Sequence, residues 1–334
     1  MASSKTKNLL ISYLEKYPDL PNRTLARMVF GQHGHLFKDL EQVRSNIRNY
    51  RGRNGDCNRK YNFADKRFYL PEPTQNNPYS LPPYIPLNYK DYTIPAELKR
   101  GLILADTQIP FQDNKGLSVV LDRAKQFDPD FLILNGDIID FYRLSKFRTD
   151  PTVDDTKEAI NALIQFLMAL RTLFPDAEIV YKLGNHDDRF YYYMQQKAPE
   201  FFGIPEFRIE SVLHTDKLGI EVVGDKRRIR AGKLYIIHGH EFWQSLNNPV
   251  NPARGLYLKA KRSSLCAHHH QTSEHTEPDI GDDLITCWSI GCCCQLHPEY
   301  MPINKWNHGF ALMEKTSGGN FQLDNMRIID GEIV

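Results

Sequence analysis

Four apolar segments of the chain are each followed at once by side chains that bind metal ions or move protons. Each segment has the composition of a buried strand, and open α/β sheets place ligand sites beyond the carboxyl ends of their strands. One such group could be a simple turn, because Asp, Asn and Gly favour turns, but four in succession predict a shared site. The groups are Asp106 after residues 102–105, Asn135-Gly136-Asp137 after 131–134, Gly184-Asn185-His186-Asp187 after 178–182, and His238-Gly239 after 234–237.

A run of three histidines adds imidazoles to this set. We expect His268-His269-His270 to lie in a strand, whose alternation puts His268 and His270 on one face and His269 on the other. Two imidazoles on one face can bind a metal ion. An accidental surface run is the alternative for the triplet taken alone.

This mixture of carboxylate, amide and imidazole donors favours Mn, Fe or Zn over Ca or Mg. Two such ions, roughly 3.5–4 Å apart, bind the attacking and leaving oxygens of an in-line displacement at phosphorus and generate hydroxide near neutral pH. That chemistry needs one carboxylate that bridges both ions, separate ligands on either side, and a nearby proton donor.

The ordered motifs resemble those of the calcineurin-like metallophosphoesterases. They are Asp106-x-Gln108, Gly136-Asp137, Gly184-Asn185-His186-Asp187, His238-Gly239 and Ala267-His268-His269-His270. The resemblance covers roughly residues 100–334. It implies an α/β fold with a two-sheet sandwich flanked by helices, and a binuclear centre of two divalent ions, Mn being favoured.

The resemblance also implies a role for each motif residue. Asp137 would bridge the two ions, and His186 would be the general acid or orient the substrate, with Asp187 holding the His186 ring. The remaining ligands would divide into one site of Asp106, Gln108 and His270 and another of Asn185, His238 and His268.

Two positions depart from the family pattern. Gln108 stands where His is usual, and Ala267 where Gly is usual. A neutral amide binds a divalent ion less strongly than imidazole, so we expect the site of Asp106, Gln108 and His270 to be weaker. Alternatively, Gln108 only hydrogen-bonds a water.

Three arginines near the motifs are candidates for binding a substrate phosphate. They are Arg143, Arg189 and Arg254, and for each one a surface or ion-paired role is the alternative.

The adjacent Cys292, Cys293 and Cys294 are expected to pack as small apolar residues, since their spacing does not suit tetrahedral metal binding. The segments 291–294 and 306–310 also resemble parts of phosphoesterases of phages and mobile elements.

Residues 1–70 form a distinct basic segment, with 14 Lys and Arg against 6 Asp and Glu, whereas the rest of the chain has 28 against 35. Helices are predicted at 7–16, 22–30 and 39–51, and the set resembles a helix-turn-helix. Arg44, Arg48 and Arg51 form a stripe beside the apolar face of the third helix. We expect these three arginines to bind nucleic acid, although a protein-binding module has the same pattern.

Proline content, apolar runs and cysteine content indicate the domain organisation of the rest of the chain. Seven prolines between 71 and 95 predict an extended linker over 71–98, followed by the hydrolase domain over 99–334. No apolar run reaches the roughly 18 residues of a membrane span, and six cysteines in 334 residues are not a disulfide framework. These features favour the cytoplasm, and the resemblance to phage phosphoesterases implies a bacterial or phage-infected cell.

The leading interpretation is metal-dependent hydrolysis of a phosphodiester in nucleic acid or a nucleotide. One alternative is a phosphatase acting on proteins or small phosphomonoesters. Another is a DNA-binding protein whose metal domain is structural. The sequence predicts no oligomeric state.

Overall fold

Two structural units divide the chain, Met1–Leu87 and Asn88–Val334. The computed structural model describes residues 4–52, 74–79, 81–82, 84–85, 87, 89–150, 152–153, 155–242 and 250–334. The end of the predicted N-terminal domain, at residue 70, lies outside these ranges. In the part that is described, no helix is long and apolar enough to cross a membrane.

The described part of the first unit, over residues 4–52, contains the helices α1 (Ser4–Lys16), α2 (Asn22–His33) and α3 (Leu40–Arg51). Their apolar faces bury a common core of Leu10, Leu14, Leu25, Ala26, Val29, Phe37, Val43 and Ile47. Asp39 caps α3 by accepting a hydrogen bond from the backbone N–H of Gln42 (2.7 Å). The three helices predicted for this segment are therefore present.

We predicted that Arg51 binds nucleic acid, but its guanidinium is occupied by contacts within the first unit. Its guanidinium donates to the carbonyls of Tyr17, Pro18 and Leu20 and to Oδ1 of Asn22, at 2.6–3.2 Å. The arginine thus ties the end of α3 to the connection between α1 and α2, and most of its donors are satisfied. Arg44 and Arg48 are exposed, with Arg44 lying 3.3 Å from Glu41.

The second unit is built on two β-sheets, whose strands are numbered in chain order. The seven-stranded sheet contains β2 (Arg100–Leu104), β3 (Phe131–Asn135), β4 (Glu178–Lys182), β5 (Ile220–Val223), β11 (His308–Lys315), β12 (Phe321–Ile329) and β13 (Glu332–Ile333). The six-stranded sheet contains β1 (Tyr92–Thr93), β6 (Ile229–Ala231), β7 (Leu234–Ile236), β8 (Ser264–Cys266), β9 (Ser273–Pro278) and β10 (Leu284–Ser289). Their strand orders are β13-β12-β11-β2-β3-β4-β5 and β1-β6-β7-β8-β10-β9.

The alternation of side chains along the strands creates the layers. On β2, Leu102 and Leu104 pack with helices α4 (Asn114–Phe127) and α5 (Thr156–Leu173). Ile103, between them, packs in the cluster that contains Ile236 and Leu265 of the other sheet. Further helices are α6 (Arg189–Lys197), α7 (Ile209–Val212) and α8 (Pro252–Ala260). The predicted two-sheet sandwich with flanking helices is confirmed.

The second structural unit begins at Asn88, within the predicted linker of residues 71–98. Residues 88–98 belong to the second unit, and Tyr92 and Thr93 pair in parallel with Ile229 and Arg230 of β6. Ile94 is buried among the residues between the sheets. Burial of the apolar side chains of this segment in the core favours its pairing with β6 over a free linker.

Candidate metal centre

Parallel pairing brings the first three motifs to one edge of the seven-stranded sheet. Leu104 of β2 lies opposite Leu134 of β3, which lies opposite Tyr181 of β4. The chain turns sharply after β2 and β3, because Asp106 and Asp137 both have a φ of +52°. Gly136 precedes Asp137 with a φ of +88°, and a Cβ there would meet Nδ1 of His238 at 2.5 Å.

The fourth motif comes from the other sheet, not from the same one. His238 follows β7, and Asn135 at the end of β3 joins the two sheets at this point. The side-chain amide of Asn135 donates to the Ile237 carbonyl (2.8 Å), and the Asn135 carbonyl accepts from Nδ1 of His238 (2.8 Å). The site therefore lies where the ends of both sheets meet.

The first group of donors surrounds Asp137. Nε2 of His238 lies 3.1 Å from Oδ2 of Asp137, and one donor atom each of Asp137, His238 and His268 lies within 4.8 Å of the others. Oδ1 of Asp137 accepts the backbone N–H of His186 (2.7 Å). Asp137 thus lies at the junction of the second, third and fourth motifs.

The second group of donors surrounds Asp106. Nε2 of His270 lies 3.1 Å from Oδ1 of Asp106 and 3.4 Å from the amide nitrogen of Gln108. Nε2 of His238 lies 3.9 Å from the same Asp106 oxygen, so the two groups are adjacent. All three predicted residues of this site are buried.

The histidine run is not a strand, contrary to our expectation. It follows β8 in a turn in which His268 and His270 have φ values of +65° and +56°. The backbone N–H of His268 donates to Oδ2 of Asp106 (3.0 Å). His268 and His270 consequently face different donor groups, instead of sharing the face of a strand.

The donor set fits two divalent cations. Burial opposes protonation of His238, but the Asp137 and Asp106 carboxylates outweigh it and raise the pKa of His238 to about 9. Nδ1–H of His238 is used by the Asn135 carbonyl, so the Nε2 lone pair faces the Asp137 carboxylate at 3.1 Å unless a proton or a cation lies between them, and a metal ion can take the place of that proton. Burial, together with the His238 imidazole, lowers the pKa of His268 to about 3, which keeps this candidate ligand neutral.

Asn185 provides independent support for a ligand role. Its Oδ1 is buried and has no hydrogen-bond partner among the residues that the structure describes. An unpaired buried amide oxygen is costly. A cation would satisfy the Asn185 oxygen.

The His186 ring contacts Asp140 and Arg189, and not Asp187. Nδ1 of His186 lies 3.5 Å from Oδ1 of Asp140, and Nε2 lies 3.1 Å from Nη2 of Arg189 and 3.8 Å from Oδ2 of Asp137. Arg189 is held by the carboxylate and by the carbonyl of Asp140. Asp140 therefore occupies the position beside the ring that we predicted for Asp187.

Asp187 instead fixes the backbone around Asp137. Its Oδ2 accepts the N–H groups of Asp137 and Gly184, each at 2.7 Å, and its Oδ1 accepts the Tyr181 hydroxyl (2.6 Å). Because these donors occupy the carboxylate, it does not reach the His186 ring. Burial and the neighbouring Asp137 raise the pKa of Asp187.

The three predicted phosphate-binding arginines lie in different surroundings. Arg189 is in the site, against His186. Arg143 is exposed in the short 3₁₀ turn that follows Asp140. Arg254 is exposed in the first turn of α8, and the structure places no hydrogen bond or ion pair between its guanidinium and the donor groups within the described ranges.

Sequence reasoning missed Asp140, Glu241 and Lys182. Glu241 accepts the backbone N–H groups of His238 (3.0 Å) and Gly239 (2.6 Å), and also lies 2.8 Å from Nζ of the fully buried Lys182. Burial opposes ionisation of Glu241, but Lys182 outweighs it and lowers the pKa of Glu241 to about 2. A carboxylate three residues after each of Asp137 and His238 was the available signal.

The pair of Lys182 and Glu241 yields a stability prediction. Replacing Lys182 with Ala leaves the largely buried Glu241 carboxylate without its cation, so we expect a loss of about 3–5 kcal/mol in the free energy of unfolding. Urea unfolding measures this loss. The exposed Lys233→Ala variant is the control and should change little. Equal stability of the two variants would show that the pair does not support the His238 loop.

Gln108 yields a prediction about metal affinity. We expect the unmodified chain to fill the site of Asp106, Gln108 and His270 last, and Gln108→His to bind there more tightly, because imidazole is a stronger ligand than an amide. Calorimetric titration with Mn²⁺ measures both sites. Two equally tight sites in the unmodified protein would contradict the expectation.

Comparisons with known proteins identify the family of the chain. A family model described as calcineurin-like phosphoesterase matches residues 100–290. The Gene 54 protein of Mycobacterium phage L5 is 30% identical over 229 residues, which cover 64% of this chain and 88% of that protein. The Gene 54 protein of Mycobacterium phage D29 is 29% identical over 147 residues, which cover 42% of this chain and 57% of that protein.

Two solved structures are similar at lower sequence identity. Vacuolar Protein Sorting 29 from Cryptosporidium parvum is 13% identical with a TM-score of 0.39, and the match covers 71% of this chain and 95% of that one. The phosphoesterase Yfce from E. coli is 12% identical with a TM-score of 0.33, covering 67% and 98%. The assignment therefore depends on the sequence matches. The chain belongs to the calcineurin-like phosphoesterases, a family of hydrolases that act on phosphoester bonds with divalent metal ions.

Proposed function

We propose that this protein hydrolyses phosphodiester bonds of nucleic acid or nucleotides at a binuclear centre, with Mn²⁺ as the favoured ion. The observation that carries the hydrolytic part is the pair of adjacent donor groups around Asp137 and Asp106, with His186 beside them. One ion would be held by Asp106, Asp137, His270 and the Gln108 amide oxygen. The other would be held by Asp137, Asn185, His238 and His268.

The protein residues then have distinct tasks. When bound, two divalent ions would supply Lewis-acid polarisation of the phosphate and a nucleophile at neutral pH. His186 would donate a proton to the leaving oxygen, and the Asp140 carboxylate lies 3.5 Å from its Nδ1. Arg189, whose Nη2 lies 3.1 Å from Nε2 of His186, is placed to bind a phosphate oxygen next to that proton donor.

The preference for nucleic acid is supported by the first unit. Its helices expose Arg23 and Arg27 on α2 and Arg44 and Arg48 on α3, and its segment of the sequence is basic while the remainder is acidic. An acidic hydrolase domain repels a polyanion. A basic module in the same chain offsets that repulsion and raises the local substrate concentration.

The test compares two double variants of the full chain. Replacing Arg44 and Arg48 with Ala should weaken binding of DNA or RNA and lower the salt slope by about two units in total, one for each phosphate contact. Lys125 and Lys217 are exposed in the second unit, and their double replacement with Ala is the charge-matched control. Hydrolysis of a small chromogenic diester should be unchanged in both, since no proposed ligand precedes Asp106.

Other outcomes decide between the alternatives. Equal nucleic-acid affinity of the two double variants would remove the role of the first unit. Faster turnover of monoesters than of diesters would favour a phosphatase, and binding of DNA without any turnover would favour a structural metal domain. A panel of single-stranded, duplex and cyclic nucleotide substrates would then define the substrate.

A further inference from the structure

Two buried cysteines lie behind His270, on the side away from Asp106. Nε2 of His270 faces Asp106 at 3.1 Å, whereas Nδ1 lies 3.7 Å from Sγ of Cys294. One donor atom each of His270, Cys292 and Cys294 lies within 4.8 Å of the others. The two nitrogens of a single imidazole thus face the metal centre and a sulfur pair.

The segment after β10 produces this arrangement by alternation. Cys292 and Cys294 form isolated bridges with His308 and Gln112, and their side chains share one face. Cys293, between them, packs in the core beneath α4 and α5. The Trp306 ring lies 4.0 Å from the His270 ring, centroid to centroid, and His270 is itself buried.

The His238 imidazole offers a comparison for the contact between His270 and the sulfur. Metal-bound histidines almost always donate their other ring N–H to an acceptor, which fixes the tautomer and the ring orientation. His238 donates Nδ1–H to the Asn135 carbonyl at 2.8 Å. For His270, the acceptor near Nδ1 is sulfur. A hydrogen bond from Nδ1–H to Sγ leaves the Nε2 lone pair directed at the Asp106 side.

We propose that Cys294, with Cys292 beside it, is a positioning residue that accepts Nδ1–H of His270 and orients this ligand toward the metal. The inference depends on the metal-binding role of His270 in the proposed function. Sulfur here takes the place that a carbonyl oxygen has at His238. The prediction that these cysteines only pack as small apolar residues then applies to Cys293 alone.

The test measures Mn²⁺ affinity by calorimetry in three variants of the full chain. Cys294→Val, which cannot accept the hydrogen bond, should weaken one site by about 10–100-fold, while Cys294→Ser should stay close to the unmodified protein. Cys293→Ala is the matched control and should bind both ions normally. A role in packing alone predicts the reverse ranking, because Val suits a buried apolar site better than Ser.

Further measurements separate the ways in which this could fail. If Cys294→Val does not fold, the histidine ¹⁵N spectrum of the metal-loaded unmodified protein should still show His270 protonated at Nδ1; protonation at Nε2 would overturn the proposal. A near-ultraviolet sulfur-to-cobalt charge-transfer band in the Co²⁺ form, lost in Cys294→Ser, would make the cysteine a ligand and also overturn it. Absence of metal binding by the unmodified protein would instead refute the proposed function.

Discussion

Replacing Asp137 with Asn should abolish metal binding and hydrolysis together. We propose Asp137 as the carboxylate shared by both ions, and its Oδ2 lies 3.1 Å from His238 while its Oδ1 accepts the backbone N–H of His186. The amide removes the negative charge that holds two cations close together. Losing several kcal/mol of transition-state stabilisation lowers the rate by on the order of 10³-fold.

Metal content and diester turnover, measured on the same sample, test this expectation. The control is Asp216→Asn, which changes an exposed aspartate distant in sequence from every motif and should leave both quantities intact. An Asp137→Asn protein that keeps two ions and full turnover would contradict the bridging role.

Replacing His186 with Ala should lower the rate by about 10²–10⁴-fold and leave both ions bound. The ring contacts Asp140 and Arg189, while the backbone N–H that binds Asp137 remains in alanine. Steady-state kinetics with metal analysis measures the two effects separately. His297→Ala, at an exposed histidine, is the control.

Two outcomes of the His186 experiment would change the assignment. Loss of an ion from His186→Ala would make this residue a ligand. Unchanged turnover of a diester with a poor leaving group would mean that another residue supplies the proton. Asp140→Asn should give a smaller loss of rate than His186→Ala, since it leaves the His186 imidazole in place and alters only the surroundings of that ring and of Arg189.

The strands that carry the motifs were predictable because their signal is local. Phe131-Leu132-Ile133-Leu134 is apolar on both faces, which is typical of a strand buried between helices and a second sheet. Tyr92 and Thr93 carry no such signal. Their pairing depends on β6, more than 130 residues later in the chain, and the prolines around them favour a linker.

The predicted ligands converge because motifs at strand ends are placed by the sheets themselves. What surrounds those ligands depends on tertiary contacts that no local pattern encodes. Asp187 is adjacent to His186 in sequence, yet its carboxylate is taken by backbone donors and Tyr181. Asp140 is 46 residues before His186 but lies against the ring. Cys294 is likewise distant from His270 in sequence, yet its Sγ lies 3.7 Å from the His270 ring.

The most direct test of a binuclear hydrolytic centre is metal removal and return. The full chain is stripped with chelator and titrated with Mn²⁺, while hydrolysis of a chromogenic phosphodiester and bound metal are followed together. We expect no turnover in the stripped protein and full recovery as the bound ions approach two per chain. Full turnover in the chelated, metal-free protein would contradict the account.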